Sequence, residues 1–140
     1  MKRMTTTQMG APEQPSPIRT CCADEVFVPS DLEWPGGEPP AGLLLFEKAG
    51  PRRQLFFDPK QTRAAIVTCG GLCPGLNNVI RSVVRELRRE YGASSVLGIR
   101  GGYRGLDPSR SEPPLELTED VVEDIHRMGG SRLGTSRGPV

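Results

Sequence analysis

Residues 64–81 have the sequence AAIVTCGGLCPGLNNVIR, and this stretch decides the fold class. Residues 64–68 form a short apolar, β-branched run that ends in turn residues, as a buried parallel strand does. Glycine and proline fill the turn that follows. Asn77 or Asn78 can then cap a helix, which we expect to continue as far as Gly92. The stretch therefore predicts a strand, a glycine-rich turn and a helix.

A second strand is expected over residues 95–99, so that strand, crossover helix and strand form one βαβ unit. Such a unit makes a parallel sheet and therefore an α/β domain. A further helix is expected to start at Thr118 and to end at Gly129. Two or three strands with so few helices packed on them make an incomplete sheet. We therefore expect a partial, Rossmann-like fold that is part of a larger domain. The apolar face of the first helix is expected to contain Val79, Ile80, Val83, Val84 and Leu87.

The chain divides into three parts by its local composition. Residues 1–25 are polar, interrupted by proline and without periodicity, which is typical of a disordered leader. Residues 26–62 hold short apolar runs separated by proline and glycine. Because proline is excluded from central strands, these runs favour an irregular arm with short strands. Residues 63–140 contain the βαβ unit and form the third part.

Charge and hydropathy argue against several functional classes. The chain has 18 basic and 17 acidic residues, a net charge of +1, so no overall field attracts nucleic acid or an anionic membrane. No apolar run approaches the roughly 18 residues of a membrane span, and no signal-peptide core is found. The cytoplasm is the expected location, although the basic start of the leader leaves an organelle transit peptide open. The simplest interpretation of Arg81, Arg85, Arg88 and Arg89 is a solvated helix face.

The cysteines do not predict a metal site. Cys69 and Cys73 lack the two-residue spacing of zinc ligands, and the one histidine, His126, belongs to a different predicted helix. Adjacent Cys21 and Cys22 do not resemble a secreted disulfide framework. We expect small buried or half-buried thiols and no metal ligands.

Three glycine-rich turns are expected to meet at the carboxyl edge of the sheet, where α/β folds bind ligands. The first, 69–75, has neither Walker nor dinucleotide spacing, so phosphate binding and a plain tight turn both stay open. In the second, 101–105, Tyr103 could stack on a base and Arg104 could contact phosphate, or the turn could simply expose a tyrosine. In the third, 134–138, the forked guanidinium of Arg137 suits a phosphate.

Together these residues resemble the 6-phosphofructokinase family. Residues 68–81, 98–106 and 125–138 are similar, in order and spacing, to three signature segments of that family. Residues 49–52 and 57–59 resemble the N-terminal arm of its longer, plant-like and bacterial group. The resemblance covers about residues 43–140. One departure is Asn78, where many members of that group carry aspartate, although either residue can cap a helix.

The resemblance implies transfer of a phosphoryl group from ATP to fructose 6-phosphate in glycolysis, with Mg²⁺, by a homo-oligomeric enzyme. It assigns Gly71 to the donor phosphates, Tyr103 to the nucleoside, and Arg137 with Gly138 to the nucleotide phosphates. Arg81 and Arg85 match positions where short bacterial relatives bind an effector.

The family's catalytic and metal-binding aspartates lie in Gly-Gly-Asp and Thr-Ile-Asp-Asn-Asp-like segments that this chain does not contain. No catalytic residue and no metal ligand is therefore assigned here, and we expect an N-terminal fragment that is inactive alone. Residues 63–140 would be the truncated first part of the nucleotide-binding domain. A pyrophosphate-dependent enzyme and a non-catalytic nucleotide-binding or regulatory protein are the alternatives.

Overall fold

The computed structural model describes residues 2–4 and 10–137, which divide into two compact units, Met1–Phe57 and Asp58–Val140. The leader expected over residues 1–25 lies partly outside the described residues. So does Gly138, for which a phosphate contact is expected.

The first unit consists of short strands. Three of them form one sheet in the order β1–β4–β3, in which β1 is parallel and β3 antiparallel to β4, while β2 and β5 form an antiparallel pair. Among the described residues of this unit, Leu43 is the one buried hydrophobic side chain, so backbone pairing rather than a core holds the strands. The strands are β1 (Lys2–Arg3), β2 (Gln14–Pro15), β3 (Phe27–Pro29), β4 (Leu44–Glu47) and β5 (Gln54–Leu55).

The second unit contains the predicted βαβ arrangement, which confirms the α/β fold class. Strands β6 (Arg63–Val67) and β7 (Ser95–Ile99) are parallel and are joined through helix α1 (Leu76–Arg85). A π-type turn at Glu86–Glu90 extends this helix almost to Gly92. A strand that was not predicted, β8 (Leu115–Glu116), lies antiparallel to β7.

Short elements complete the second unit. Helix α2 (Glu119–Val122) begins where predicted, because the Thr118 hydroxyl accepts the Val121 N–H at 3.4 Å. The predicted continuation to Gly129 is wrong, since only a 3₁₀ turn follows. Two side chains of α1 donate hydrogen bonds to backbone carbonyls in the segment 123–128, at Glu123 and at Met128. This segment, which holds those two bonds, is not α-helical. The 3₁₀ turns are Pro59–Gln61, Gly102–Leu106 and Ile125–Arg127.

The core lies between the sheet and α1. Ile80 and Val84 are fully buried, and Leu87 packs on the same cluster. Val79 and Val83 were expected on this face but are exposed, because the stripe of the helix that faces the core contains Leu76, Ile80, Val84 and Leu87. The buried cluster consists of Ile80, Val84, Ala93, Val96, Leu117, Val122, Ile125 and Leu133.

The arginines of α1 and of its π-type turn do not form a solvated face. Arg89 donates to both carboxylate oxygens of Glu119, at 2.8 and 2.6 Å. Arg85 donates to the Glu123 carboxylate at 2.8 Å, and Arg88 donates to the Leu117 carbonyl at the same distance. These bonds tie the helix to residues 117–123, which run from the end of β8 through α2. The sequence could not show this because the partners are distant along the chain.

No helix within the described parts of the chain is both long and apolar enough to cross a membrane.

Candidate functional site

Three loops meet at the carboxyl edge of β6 and β7, as predicted for the glycine-rich turns. Thr68, which follows β6 and is buried, donates its hydroxyl to the Gly134 carbonyl at 2.6 Å. The Gly70 N–H donates to the Ser136 carbonyl at 3.2 Å, and the Gly101 N–H donates to the Leu133 carbonyl at 2.8 Å. The segment 131–137 is therefore bonded to both of the loops that follow the parallel strands.

Gly102 permits the close approach of two of these loops. Its φ is +69°, and a Cβ atom there would lie 2.7 Å from the Ser136 backbone nitrogen and 3.1 Å from the Thr68 carbonyl oxygen. Because backbone atoms cannot move aside as a flexible side chain can, any larger residue would push the loops apart. The glycine is required by packing as well as by conformation.

Asn77 fixes the segment that leads into the third loop. The sequence predicted that Asn77 or Asn78 caps α1, but the N-cap is Gly75, with a φ of +87° and no side-chain hydrogen bond. Asn77 is instead 4% exposed, donates to the Met128 carbonyl at 3.0 Å and accepts the Arg132 N–H at 2.7 Å. The sequence gives no signal for this role, since an amide in the first helical turn looks the same in either case.

Gly71 and Arg137, two of the predicted phosphate-binding residues, lie together. A Cβ atom on Gly71 would come within 2.7 Å of Arg137 Nη2, so the guanidinium lies directly over the glycine backbone. Both residues are exposed. Neither the Gly71 N–H nor the Arg137 side chain has a hydrogen-bond or ion-pair partner among the described residues. Two unused donor groups thus face the same edge.

The family follows from a comparison of sequences. A sequence model described as Phosphofructokinase matches residues 63–140, which is more than half of the chain. The chain belongs to the phosphofructokinase family.

Several relatives of this phosphofructokinase chain are named ATP-dependent 6-phosphofructokinase. The protein from Borreliella burgdorferi is 52% identical over 97 residues, which cover 69% of this chain and 22% of the relative. The protein from Amycolatopsis methanolica is 47% identical over 120 residues, covering 86% and 25% respectively. A solved structure, Pichia pastoris phosphofructokinase in the T-state, has a TM-score of 0.47 and 32% identity, and the match covers 56% of this chain and 8% of that chain. The chain spans about a quarter or less of the length of these relatives.

Tyr103, expected beside the nucleoside, lies in the 3₁₀ turn directly after Gly102. The residue is 48% exposed. No hydrogen bond or ring contact joins it to Gly71 or Arg137 in the described part of the phosphofructokinase chain. The structure places it on the loop after β7, at the same edge of the sheet as Gly71 and Arg137.

Two carboxylates lie on the loop after β7, where no acidic residue was assigned a functional role from the sequence. Asp107 pairs with Arg110 at 3.2 Å, and Glu112 pairs with Arg100. The Ser109 hydroxyl donates to Asp107 at 2.6 Å, and this bond, with a second from the Ser109 N–H, holds the pKa of Asp107 below its ordinary value. The charged form of Asp107 is therefore favoured by its neighbours, while Glu112 is engaged by Arg100.

The described residues do not fit a magnesium site. Among them, no group of three or more histidine, cysteine, aspartate or glutamate side chains is close enough to hold a metal ion. Asp107 and Glu112 are moreover each engaged by an arginine. We derive no chemical step through a metal from these residues.

The thiols are only partly as expected. Cys21 and Cys22 are half-buried, in agreement with the sequence, but Cys69 and Cys73 are exposed. Both exposed cysteines lie on the glycine-rich turn after β6, at the edge of the sheet.

Proposed function

We propose that this chain provides the donor-phosphate part of an ATP-dependent 6-phosphofructokinase. The complete enzyme would transfer the terminal phosphoryl group of ATP to the 1-hydroxyl of fructose 6-phosphate and form fructose 1,6-bisphosphate in glycolysis. Membership of the phosphofructokinase family supports this function, and the ATP-dependent relatives favour ATP over pyrophosphate as the donor. The observation that carries the proposal is the guanidinium of Arg137 lying over Gly71 at the loop edge.

The local geometry suits a polyphosphate. The N-terminus of α1 has no side-chain cap, and the backbone N–H groups of Asn77 and Asn78 have no partner among the described residues, so they are available to an anion, as is the N–H of Gly71. Arg137 adds a planar, permanently charged group that can bind two phosphate oxygens at once. Tyr103, half-exposed on the adjoining loop, would lie against the nucleoside.

These groups would act mainly by stabilising negative charge on the transferred phosphoryl group. When the bond between the terminal phosphorus and the bridging oxygen breaks and a new bond to the sugar oxygen forms, negative charge spreads over the transferred group. Arg137 and the N–H groups would stabilise that charge without exchanging a proton. The hydroxyl proton of the sugar must leave to a base, and we assign that role to none of the described residues. Gly138, which lies outside them, would extend the phosphate contact.

The remaining features of the complete enzyme come from the family resemblance. We propose that it works in the cytoplasm as a homo-oligomer and takes fructose 6-phosphate as its second substrate. It would require Mg²⁺, which neutralises phosphate charge in such reactions. The described residues of this chain have no assigned part in holding that ion.

Amide hydrogen exchange of the purified chain, with ATP and separately with pyrophosphate, tests the proposal. We expect ATP to slow exchange at Gly71 and in the segment 131–137, and to slow it near Tyr103. Arg137→Gln should remove this protection, whereas Arg53→Gln, an equal charge change at an exposed residue of the first unit, should not. Protection by pyrophosphate but not by ATP would overturn ATP as the donor. No protection by either ligand would overturn the site.

A further inference from the structure

A cleft of about 460 Å³ opens beside the loop edge, between the loop after β7 and the segment 132–136. It is lined by four arginines, and the only carboxylate among its lining residues is Glu112. Gly71 and Arg137, the pair proposed above for the donor phosphates, are not among its lining residues. The four arginines are Arg100, Arg104, Arg110 and Arg132.

The positive charge of this arginine cleft is only partly balanced by the protein. Arg100 is paired with Glu112, and Arg110 is paired with Asp107. The side chains of Arg104 and Arg132 have no hydrogen bond or ion pair within the described residues, and both are exposed. Two guanidinium groups therefore face the cleft without a counter-charge. Like charges gathered in one concave site repel one another and favour binding of an anion.

Uncharged donors complete the lining. The Ser136 hydroxyl is buried and has no hydrogen-bond partner among the described residues. Thr135 also lines the cleft, and its hydroxyl has no hydrogen-bond partner within the same part of the chain. A buried hydroxyl without a partner is costly, so it commonly marks a place where a ligand or water supplies the missing bond. Hydroxyls beside forked guanidinium groups are a typical set of donors for phosphate oxygens.

We propose that the arginine cleft binds a phosphate group, either free inorganic phosphate or the phosphate of a small phosphorylated metabolite. Arg104 and Arg132 neutralise the two charges of the phosphate, and Thr135 and Ser136 donate to its oxygens. This site goes beyond the proposed function because the donor pair, Gly71 and Arg137, lies outside the lining. Since Gly102 packs against Ser136, a ligand in the cleft also contacts the segment that ends at Arg137.

The test is a titration of the isotope-labelled full chain at constant ionic strength, followed by two-dimensional NMR. The probes are inorganic phosphate and, separately, glycerol 3-phosphate as a simple phosphate ester. The backbone signals of Gly101 and Thr135 and the arginine side-chain N–H signals report on the cleft. We expect saturable shifts with at least one probe in the millimolar range of affinity. Saturation by phosphate alone indicates the free ion, and tighter binding of the ester indicates a metabolite.

Variants separate this cleft from the donor site. Arg104→Gln and Arg132→Gln should each weaken binding about tenfold, because each removes a charge-assisted bond. Arg137→Gln should change the affinity by less than about twofold. Arg63→Gln is the matched control, since this exposed arginine starts β6 at the opposite end of the strand. Arg104→Lys, which retains the charge, should recover part of the affinity and thus separate loss of charge from loss of folding.

Three results would overturn the proposal. The first is the absence of saturable shifts. The second is a loss of affinity in Arg137→Gln alone, because phosphate would then occupy the donor site. The third is an equal loss in Arg63→Gln, because the ion would then respond only to overall charge. If ATP gives no protection from amide exchange but phosphate still gives saturable NMR shifts, the result counts against the donor site and not against this cleft.

Discussion

Asn77 Oδ1 accepts the backbone N–H of Arg132 at 2.7 Å, across 55 positions of the sequence. The same side chain donates to the Met128 carbonyl at 3.0 Å, so one buried amide holds both ends of the segment that precedes the Arg137 loop. The first turn of α1 thus positions residues of the third loop. It does so at the end of the helix where an anion would be stabilised by the free N–H groups.

We expect Asn77→Ala to lower the free energy of unfolding by about 2–4 kcal/mol. The change leaves the Met128 carbonyl and the Arg132 N–H, whose bonds to Asn77 are part-buried, without their partner, and an unpaired buried group costs roughly 1–3 kcal/mol. Urea unfolding followed by circular dichroism measures the difference. Asn78→Ala is the matched control, since Asn78 is the exposed neighbour on the same helical turn. Equal losses of unfolding free energy in the two variants would show that the two hydrogen bonds of Asn77 contribute nothing specific.

Gly102→Ala should be strongly destabilising, whereas Gly129→Ala should have a small effect. Gly102 has a φ of +69° and backbone atoms of Ser136 and Thr68 within reach of any Cβ, while a Cβ on Gly129 would meet nothing within 4 Å. Left-handed backbone with a side chain costs of order 1 kcal/mol, and the clash adds to it. Thermal unfolding of the two variants is the measurement. Similar midpoints for both would contradict the close approach of the two loops.

Sequence alone predicted the βαβ unit because its signals are local. The apolar run that forms β6, the glycine turn and the periodicity of α1 all lie within a short stretch, and tertiary contacts do not override them. The role of Asn77 was missed because its partners are remote. The ion pairs of Arg85 and Arg89 were missed for the same reason.

The candidate site was predictable only in part. Gly71, Tyr103 and Arg137 were named from a family resemblance, and the structure places Gly71 and Arg137 together. The arginine cleft was not predicted, because Arg104 and Arg132 lie on separate loops and nothing in their spacing shows that they share a cavity. Concave sites built from several loops depend on tertiary geometry, which composition and periodicity do not contain.

Glu119 should titrate below the ordinary range of a glutamate. The two hydrogen bonds from Arg89 are the main cause of its lowered pKa, and the charges of Arg85 and Arg88 add to them against the opposing effect of desolvation. Because the folded-state pKa is depressed, the ion pair contributes stability above the unfolded-state pKa. That contribution is lost as the pH falls through the folded-state value.

An NMR titration of the Glu119 side-chain carboxyl carbon measures this directly. Arg89→Gln should raise the pKa of Glu119 and weaken the acid dependence of stability, whereas Arg53→Gln, in the other unit, should leave both unchanged. A Glu119 pKa that does not respond to Arg89→Gln would contradict the bidentate pair.

Gly71→Ala should weaken ATP binding about tenfold and leave the free energy of unfolding within about 0.5 kcal/mol. The added methyl group would meet Arg137 Nη2 at 2.7 Å, and since a guanidinium at the end of a long side chain moves easily, the fold is not strained. The displaced guanidinium would, however, no longer lie over the loop, and a bidentate phosphate contact depends on its position. Isothermal titration with ATP, paired with urea unfolding, separates the two effects. Gly129→Ala, which leaves Arg137 in place, is the control for the added methyl group. If Gly71→Ala keeps the ATP affinity of the unchanged chain while Arg137→Gln loses ATP affinity, Arg137 binds phosphate from a position away from Gly71.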